Sequence, residues 1–539
     1  MASVRMSSEL NAPNAMKTSE RTWLYLVPIP VLFFVIASIF VNGRGPFYCA
    51  YYYDPDYNYL FNALNLSLGF RPEHVDHPGT TVQLFGAALI KVRNFGSSDV
   101  ETAVSVIQHA ESYLNLLNTL LILIYFGLLI TTGWMVLKRT KSLLAAISIQ
   151  LGPLFLDNNF SAWLRFNPEP FILICCLPIT AILCVKMPGR ENYSAKSLVL
   201  LSFLIATGLI SKIIFFPVVL IPLFCLKSWS ERAYYVLGVL LFCFLWALPL
   251  IPDYPTIANW IVSLITHKGR YGQGATGLLP DTYFKNLSKL LAGNWLLTAM
   301  TALSVVALFY HIVRRRKTTE TSERSLIRLL LGLALAESLQ FLIAAKNPED
   351  RYLIPVVAFC GLNFLLLIRF FQRCFQPSMK LIRAGVATGI VVLSVIGFRL
   401  NRQYQKVVAQ RENGLELDAR WRTEKTNSAS VFFYGAPSPI FAGWFANFWV
   451  GMRYSQILAK LQDDPSLFIL NKWTGQTISP NGVVDLSVEA KHYRRILFMG
   501  ETLDEERTFS LLHLPQKPRK ILQCGPVALY ESMVDKMSQ

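Results

Sequence analysis

The sequence predicts a polytopic α-helical membrane protein of about eleven spans that ends in a soluble α/β domain. Three observations lead there. Of 539 residues, 53% are hydrophobic and only 16% charged, where a soluble chain carries roughly a quarter charged residues. The apolar residues gather into runs of roughly 20, the length that crosses a hydrocarbon core. From Arg399 onward those runs give way to a polar stretch and then to short apolar strands such as Val431-Phe432-Phe433-Tyr434.

Taken in order, residues 1–21 are polar and precede a long apolar run, so they form a cytoplasmic N-terminus ahead of a start anchor. Thr22–Val41 is the first span, and residues 42–110 form a large external loop. Within it Tyr57, Leu60, Phe61, Leu64 and Leu68 recur at helical spacing while Asn58, Asn62 and Asn65 lie off the stripe. That pattern predicts an amphipathic helix on the membrane surface. The second span runs from about Glu111 to Leu137, the third is short (Ser142–Leu156), and the fourth follows the turn 157–167. Residues 198–226 are too few for two full spans and many for one. A short pair turning at Lys212 keeps the basic clusters on one side. Ala233–Leu250 leads to a second large loop, 251–292. Later spans end near Arg314, Ala345, Leu367 and Gly397, which places residues 22–398 in the membrane domain and 399–539 in an extracytoplasmic domain with its own core.

The net charge of +17 is carried largely by short loops: Lys138-Arg139-Thr140-Lys141, Lys227 to Arg232, Arg314-Arg315-Arg316-Lys317 and Arg369 to Arg383. This is positive-inside patterning, so charge reports orientation and no nucleic-acid partner is expected. Six of nine cysteines fall in apolar spans and read as small hydrophobes. Cys49 and Cys524 lie outside them, where a disulfide is one alternative. No internal repeat is visible.

Chemistry concentrates in the first loop, at Tyr53-Asp54-Pro55-Asp56-Tyr57-Asn58-Tyr59 and at His74, Asp76 and His77. Asp54 followed by Pro55 is a good helix start, which alone explains that aspartate. It leaves Asp56 and the aromatic cluster to be explained. Glycosyl transfer needs a base for the acceptor hydroxyl and negative charge near an oxocarbenium-like centre. Two carboxylates on a fixed helix start supply both, and aromatic faces such as Tyr57 suit a sugar.

These residues resemble the first loop of the GT-C superfamily, polytopic glycosyltransferases that use polyprenyl-phosphate-linked donors. The Asp54-to-Tyr59 string looks like the first-loop motif of oligosaccharyltransferase catalytic subunits. The spacing from Asp54 to Gly69 and Asp76-His77-Pro78 looks more like the protein-mannosyltransferase and aminoarabinose-transferase branch, with Gly79 where that branch has a second proline. The Trp-Trp-Asp-Tyr-Gly signature of oligosaccharyltransferases is absent. The resemblance implies an inverting displacement with Asp54 as general base, Asp56 as its neighbour, and cations holding the departing lipid phosphate. A helix N-terminus keeps such a carboxylate ionised and makes it a weaker base.

Further candidates follow the same logic. Arg351-Tyr352, at the outer end of a late span, resembles the superfamily's donor-phosphate contact, with an interfacial anchor as the alternative. Arg165 is a second phosphate contact. Asp157 and Glu169 form a second acidic site: Asn167-Pro168 explains Glu169 as a helix start, while the resemblance implies an acidic group here for acceptor binding or as a metal ligand. Lys212 either sits beneath the donor phosphate or pairs with Glu337 to staple spans together. The cationic, glycine-rich stretch holding His267, Lys268, Arg270 and Tyr271 suits a lid over substrate. No obligatory metal is expected, although His74, Asp76 and His77 offer a divalent ion ligands.

The expected protein is thus an integral, multi-pass glycosyltransferase, with a bacterial plasma membrane as its setting. Its lipid-linked donor would meet a glycan, lipid or protein acceptor outside the cytoplasm. The alternative is a transporter or flippase of lipid-linked sugars, which would share the phosphate-binding residues without needing a base.

Overall fold

The computed structural model describes residues 22–49, 53–75, 79–155, 160–186, 193–266, 279–313, 321–374 and 379–534, apart from 463, 473, 481, 504 and 513–516. Five helices among these are long and apolar enough to cross a membrane: Trp23–Arg44, Ala110–Thr140, Pro168–Lys186, Trp295–Val313 and Glu323–Ala344. Two bent pairs raise the number to seven if each is one span. They are Trp229–Trp246 with Leu248–Thr266, bent by 81°, and Asp350–Val357 with Cys360–Cys374, bent by 51°. The expected count of about eleven is not confirmed among the described residues. Leu143–Leu151, Ala195–Ser211 and Leu220–Cys225 are apolar but shorter than the roughly 20 residues a bilayer core demands. The chain does break at Lys212, whose extended backbone (φ −163°, ψ 127°) separates Ala195–Ser211 from the 3₁₀ turn Ile213–Val219.

Local chemistry sets the helix ends. Ser98 with Glu101 and Ser228 with Glu231 form capping boxes. Glu111 opens the Ala110–Thr140 helix, and Lys138 with Arg139 closes it, as the helix dipole favours. Leu237, Leu240, Leu241, Val306 and Phe309 point outward from the spans, which suits a surface bathed in lipid.

The first loop does not lie on the membrane surface. Its helix Tyr53–Ser67 is buried on nearly every side, from Asp56 through Asn65. The helix Thr80–Arg93 packs along it so closely that a Cβ on Gly86 would meet Ala63 and Phe166 at 2.7 Å. Two of the three asparagines that break the apolar stripe have their side-chain oxygens satisfied within the fold. The Asn62 side-chain oxygen accepts from the Glu73 and His74 amides at 2.8 and 3.0 Å, and the Asn65 oxygen accepts from the Tyr454 hydroxyl at 2.6 Å.

The C-terminal region is entered by one continuous helix, Met379–Glu424, that runs through residue 398 without a break. Beyond it lies a seven-stranded sheet among the described residues: β1 (Ser428–Phe432), β2 (Leu467–Leu470), β3 (Thr477–Ser479), β4 (Gly482–Val484), β5 (Arg495–Glu501), β6 (Arg519–Cys524) and β7 (Val527–Met533). The order is β4-β3-β2-β1-β5-β7-β6; β2, β1 and β5 are parallel and the remaining pairs antiparallel. Alternation along each strand divides the sheet's two faces. Val431, Phe433, Phe468 and Phe498 pack under Phe509 and Tyr530. Phe432, Leu497, Met499 and Leu529 join a second core with Trp444, Phe445 and the first-loop residues Tyr53, Tyr57 and Phe61. The C-terminal domain and the first loop therefore share one apolar interior. Cys49 and Cys524 are both free and buried, so the disulfide alternative is not realised.

Candidate functional site

The helix Tyr53–Ser67 effectively begins at Pro55, because Asp54 sits in a non-helical conformation (φ −105°, ψ 108°) at its head. This is the cap position the Asp-Pro pair predicts. The Asp54 carboxylate is half-buried. Its Oδ2 accepts from the Tyr434 hydroxyl at 3.1 Å and its Oδ1 from the Asn58 amide at 3.4 Å.

Asp56 points elsewhere. It is fully buried and accepts from Arg165 Nε at 2.8 Å, from Arg165 Nη2 at 2.5 Å and from the Phe166 amide at 2.6 Å. Arg165 Nη2 also donates to the Asp54 carbonyl at 2.8 Å. Burial pushes the Asp56 carboxyl up, and Arg165 with the Phe166 amide pulls it back. Asp56, expected as a neighbouring base, and Arg165, expected as a phosphate contact, grip each other here, and the pair clamps the start of the helix to residues 165–166.

A second set of predicted residues converges beside Asp54. Lys212 Nζ lies 2.6 Å from Glu169 Oε1, and both side chains are buried. The same ammonium sits 5.0 Å from the centre of the Tyr352 ring, and Arg351 is 5.5 Å from it. The Arg351 guanidinium interacts electrostatically with Tyr352, Glu169, Glu349 and, least of these, Asp54. Its Nε is buried and has no hydrogen-bond partner among the described residues. Gln340 fixes this corner by donating to the Tyr352 carbonyl at 2.6 Å and the Ile214 carbonyl at 3.1 Å. The first loop is tied to the Lys212 turn by the Gly79 amide, which donates to the Ile210 carbonyl at 2.9 Å, and by a 2.6 Å contact between the Thr81 and Ser211 hydroxyls. The suggested Lys212–Glu337 pair is not formed. Glu337 accepts instead from Thr301 at 2.7 Å and from Asn363 at 2.8 and 3.1 Å, a polar knot inside the bundle.

Other predicted contacts are placed away from this cluster. The Tyr57 hydroxyl donates to Glu111 at 2.9 Å, and Glu111 also holds the Phe47 and Tyr48 amides, so Tyr57 secures the loop to the second span. Tyr53 is enclosed by Phe441 and Phe445 and offers no face to a sugar. The His74 ring is buried edge-on between Tyr59 and Trp449. The open cleft lined by Tyr57, His109, Glu111, Pro439, Trp444 and Gln462 does not include Asp54. Asp76, His77, Asp157, His267, Lys268, Arg270 and Tyr271 lie outside the described residues. Among those described, no three His, Cys, Asp or Glu residues come together as a metal site.

Sequence reasoning missed Tyr434 and Gln340. Tyr434 ends the strand-like run Val431–Tyr434 just before Gly435, and strand ends at such turns are where α/β sheets carry their ligand contacts. Gln340 gave no comparable signal, being one polar residue inside an apolar run.

No known family model and no curated protein sequence matches the chain. Its structural neighbours include crystal structures of ArnT from Cupriavidus metallidurans. One is bound to undecaprenyl phosphate; it is 11% identical with a TM-score of 0.47, and the likeness covers 95% of this chain and 98% of that one. The other, in the apo state, has the same identity and TM-score and covers 93% and 97%. At that distance the chemistry has to come from this chain's own side chains.

Proposed function

We propose that this integral membrane protein is an inverting glycosyltransferase that takes a sugar from a polyprenyl-phosphate donor. One observation carries the reading. Arg351, with a buried nitrogen lacking a hydrogen-bond partner among the described residues, shares its field with the Asp54 carboxylate beside the Lys212–Glu169 pair. A base and two cations gathered in one place are what such a displacement needs.

Asp54 takes the proton of an acceptor hydroxyl as its oxygen bonds to the anomeric carbon. The bond from that carbon to the phosphate oxygen breaks, and the lipid phosphate leaves with the electron pair. Arg351 grips phosphate oxygens through its planar fork, and Lys212, released in part from Glu169, adds a point charge. The Tyr352 ring lies near both cations. Charge supports an extracytoplasmic site: Lys138 and Arg139 lie at the far end of the helix whose start, at Glu111, holds the first loop, and positive-inside patterning favours Asp54 on the outer side.

The test uses purified full-length protein and a panel of undecaprenyl-phosphate sugars, scored by release of undecaprenyl phosphate. Asp54→Asn is expected to lower turnover at least about a hundredfold while binding of undecaprenyl phosphate persists. Arg351→Met is expected to lose that binding. Ordinary turnover by Asp54→Asn would overturn the assignment.

A further inference from the structure

In open α/β sheets ligands gather at the carboxyl ends of parallel strands, where the connections change direction. Here the chain leaves β1 for β2 on one side and returns as β5 on the other, so that point is β1 itself. Three polar residues stand at this edge: Tyr434 after β1, Lys472 after β2 and Glu501 ending β5. They are mutually engaged. The Glu501 amide donates to the Tyr434 carbonyl at 2.7 Å, Lys472 Nζ lies 3.6 Å from the centre of the Tyr434 ring, and it is 4.0 Å from the Glu501 carboxylate. The edge is turned toward the membrane domain, because the Tyr434 hydroxyl donates to Asp54.

We propose that the C-terminal domain completes the active site, with Tyr434 as a positioning residue that aims the Asp54 carboxylate and Lys472 and Glu501 holding Tyr434 in place. This rests on Asp54 being the base. A carboxylate on a half-exposed loop has several rotamers, and a base must present one oxygen to the incoming hydroxyl. With Oδ2 held by Tyr434 and Oδ1 only weakly held by Asn58 at 3.4 Å, the second oxygen is the one left to receive the proton. The Tyr434 ring also packs against Tyr53 and Phe445, so Tyr434→Phe removes the hydroxyl and keeps the packing.

A matched control exists in the same domain. The Tyr454 hydroxyl donates to Asn65 on the same first-loop helix at 2.6 Å, away from Asp54. If Tyr434 serves only to dock the domain, Tyr434→Phe and Tyr454→Phe should behave alike. In the full-length protein we expect Tyr434→Phe to lower kcat about tenfold or more, the scale of one hydrogen bond to a charged group, with donor KM unchanged. Lys472→Met moves kcat the same way by less, and Tyr454→Phe leaves it unchanged. Equal kcat in the two tyrosine variants, or a raised KM with intact kcat in Tyr434→Phe, overturns the positioning role. Asp54→Asn measured alongside separates the two ideas. If it is inactive while Tyr434→Phe is normal, only the positioning role falls; if it is active, the base assignment falls and this inference with it.

Discussion

The clamp between Asp56 and Arg165 is the sharpest energetic statement in the molecule. The Asp56 side chain is 0% exposed and Arg165 is 14% exposed. Replacing Arg165 with methionine keeps most of the apolar stem but leaves a buried carboxylate with the Phe166 amide as its remaining donor, a change that costs about 3–5 kcal/mol. Asp56→Asn keeps an acceptor for that amide and strands only the more exposed guanidinium, so about 2 kcal/mol is expected. Carrying both changes removes both charges, and the double variant should be more stable than Arg165→Met alone. Unfolding can be followed through buried thiols with a fluorogenic maleimide. Burial, with Glu111 and Asp418 nearby, pushes the Cys49 thiol up to about 12, so it stays silent until the fold opens. The expected order of midpoints is native, Asp56→Asn, the double variant, then Arg165→Met. A double variant as unstable as the sum of the singles would refute the clamp.

Two further outcomes follow from geometry and charge. On the helix Cys360–Cys374, a Cβ on Gly361 would collide with the Ser148 carbonyl oxygen. Gly361→Ala should therefore cost about 2 kcal/mol, whereas Gly389→Ala, with nothing within 4 Å, should be neutral or gain about 0.5 kcal/mol in the same thiol assay. In the C-terminal domain, burial raises the Asp464 carboxyl, but the Ser466 hydroxyl and amide and the Lys425 ammonium outweigh it and hold it below its ordinary value. A depressed folded value means the contribution is present above the unfolded value and disappears as pH falls through the folded one, below about pH 4. Hydrogen exchange across the β1–β2 pair should show that loss, and Asp464→Asn should flatten it.

The spans, the break at Lys212 and the three parallel strands were legible in the sequence because each is written in local periodicity or in charge. The Asp54-Pro55 helix start was legible for the same reason. Burial of the first-loop helix was not. Asn58, Asn62 and Asn65 look like a wet face; the 73–74 backbone satisfies Asn62 and Tyr454 satisfies Asn65, and those partners lie past a turn or far away in the chain. Asp56 and Arg165 were both read as site residues because a charge next to a catalytic candidate looks catalytic; only the fold reveals that they neutralise each other. The antiparallel strands escaped notice for different reasons: β3 and β4 are only three residues long, β6 is largely unburied, and β7, though long and mostly buried, carries Glu531 and Ser532 within its apolar run. Tyr434 escaped because its partner belongs to another domain.

The unbroken helix Met379–Glu424 has a mechanical corollary. Its 46 residues reach about 70 Å, and a helix of that length carries rotation as a drive shaft does. Adding one residue near its C-terminal end would swing everything downstream by about 100°, wrenching the sheet's carboxyl edge off the first loop. The angular phase of this rod, more than the sequence of any linker, determines which edge of the sheet meets Asp54.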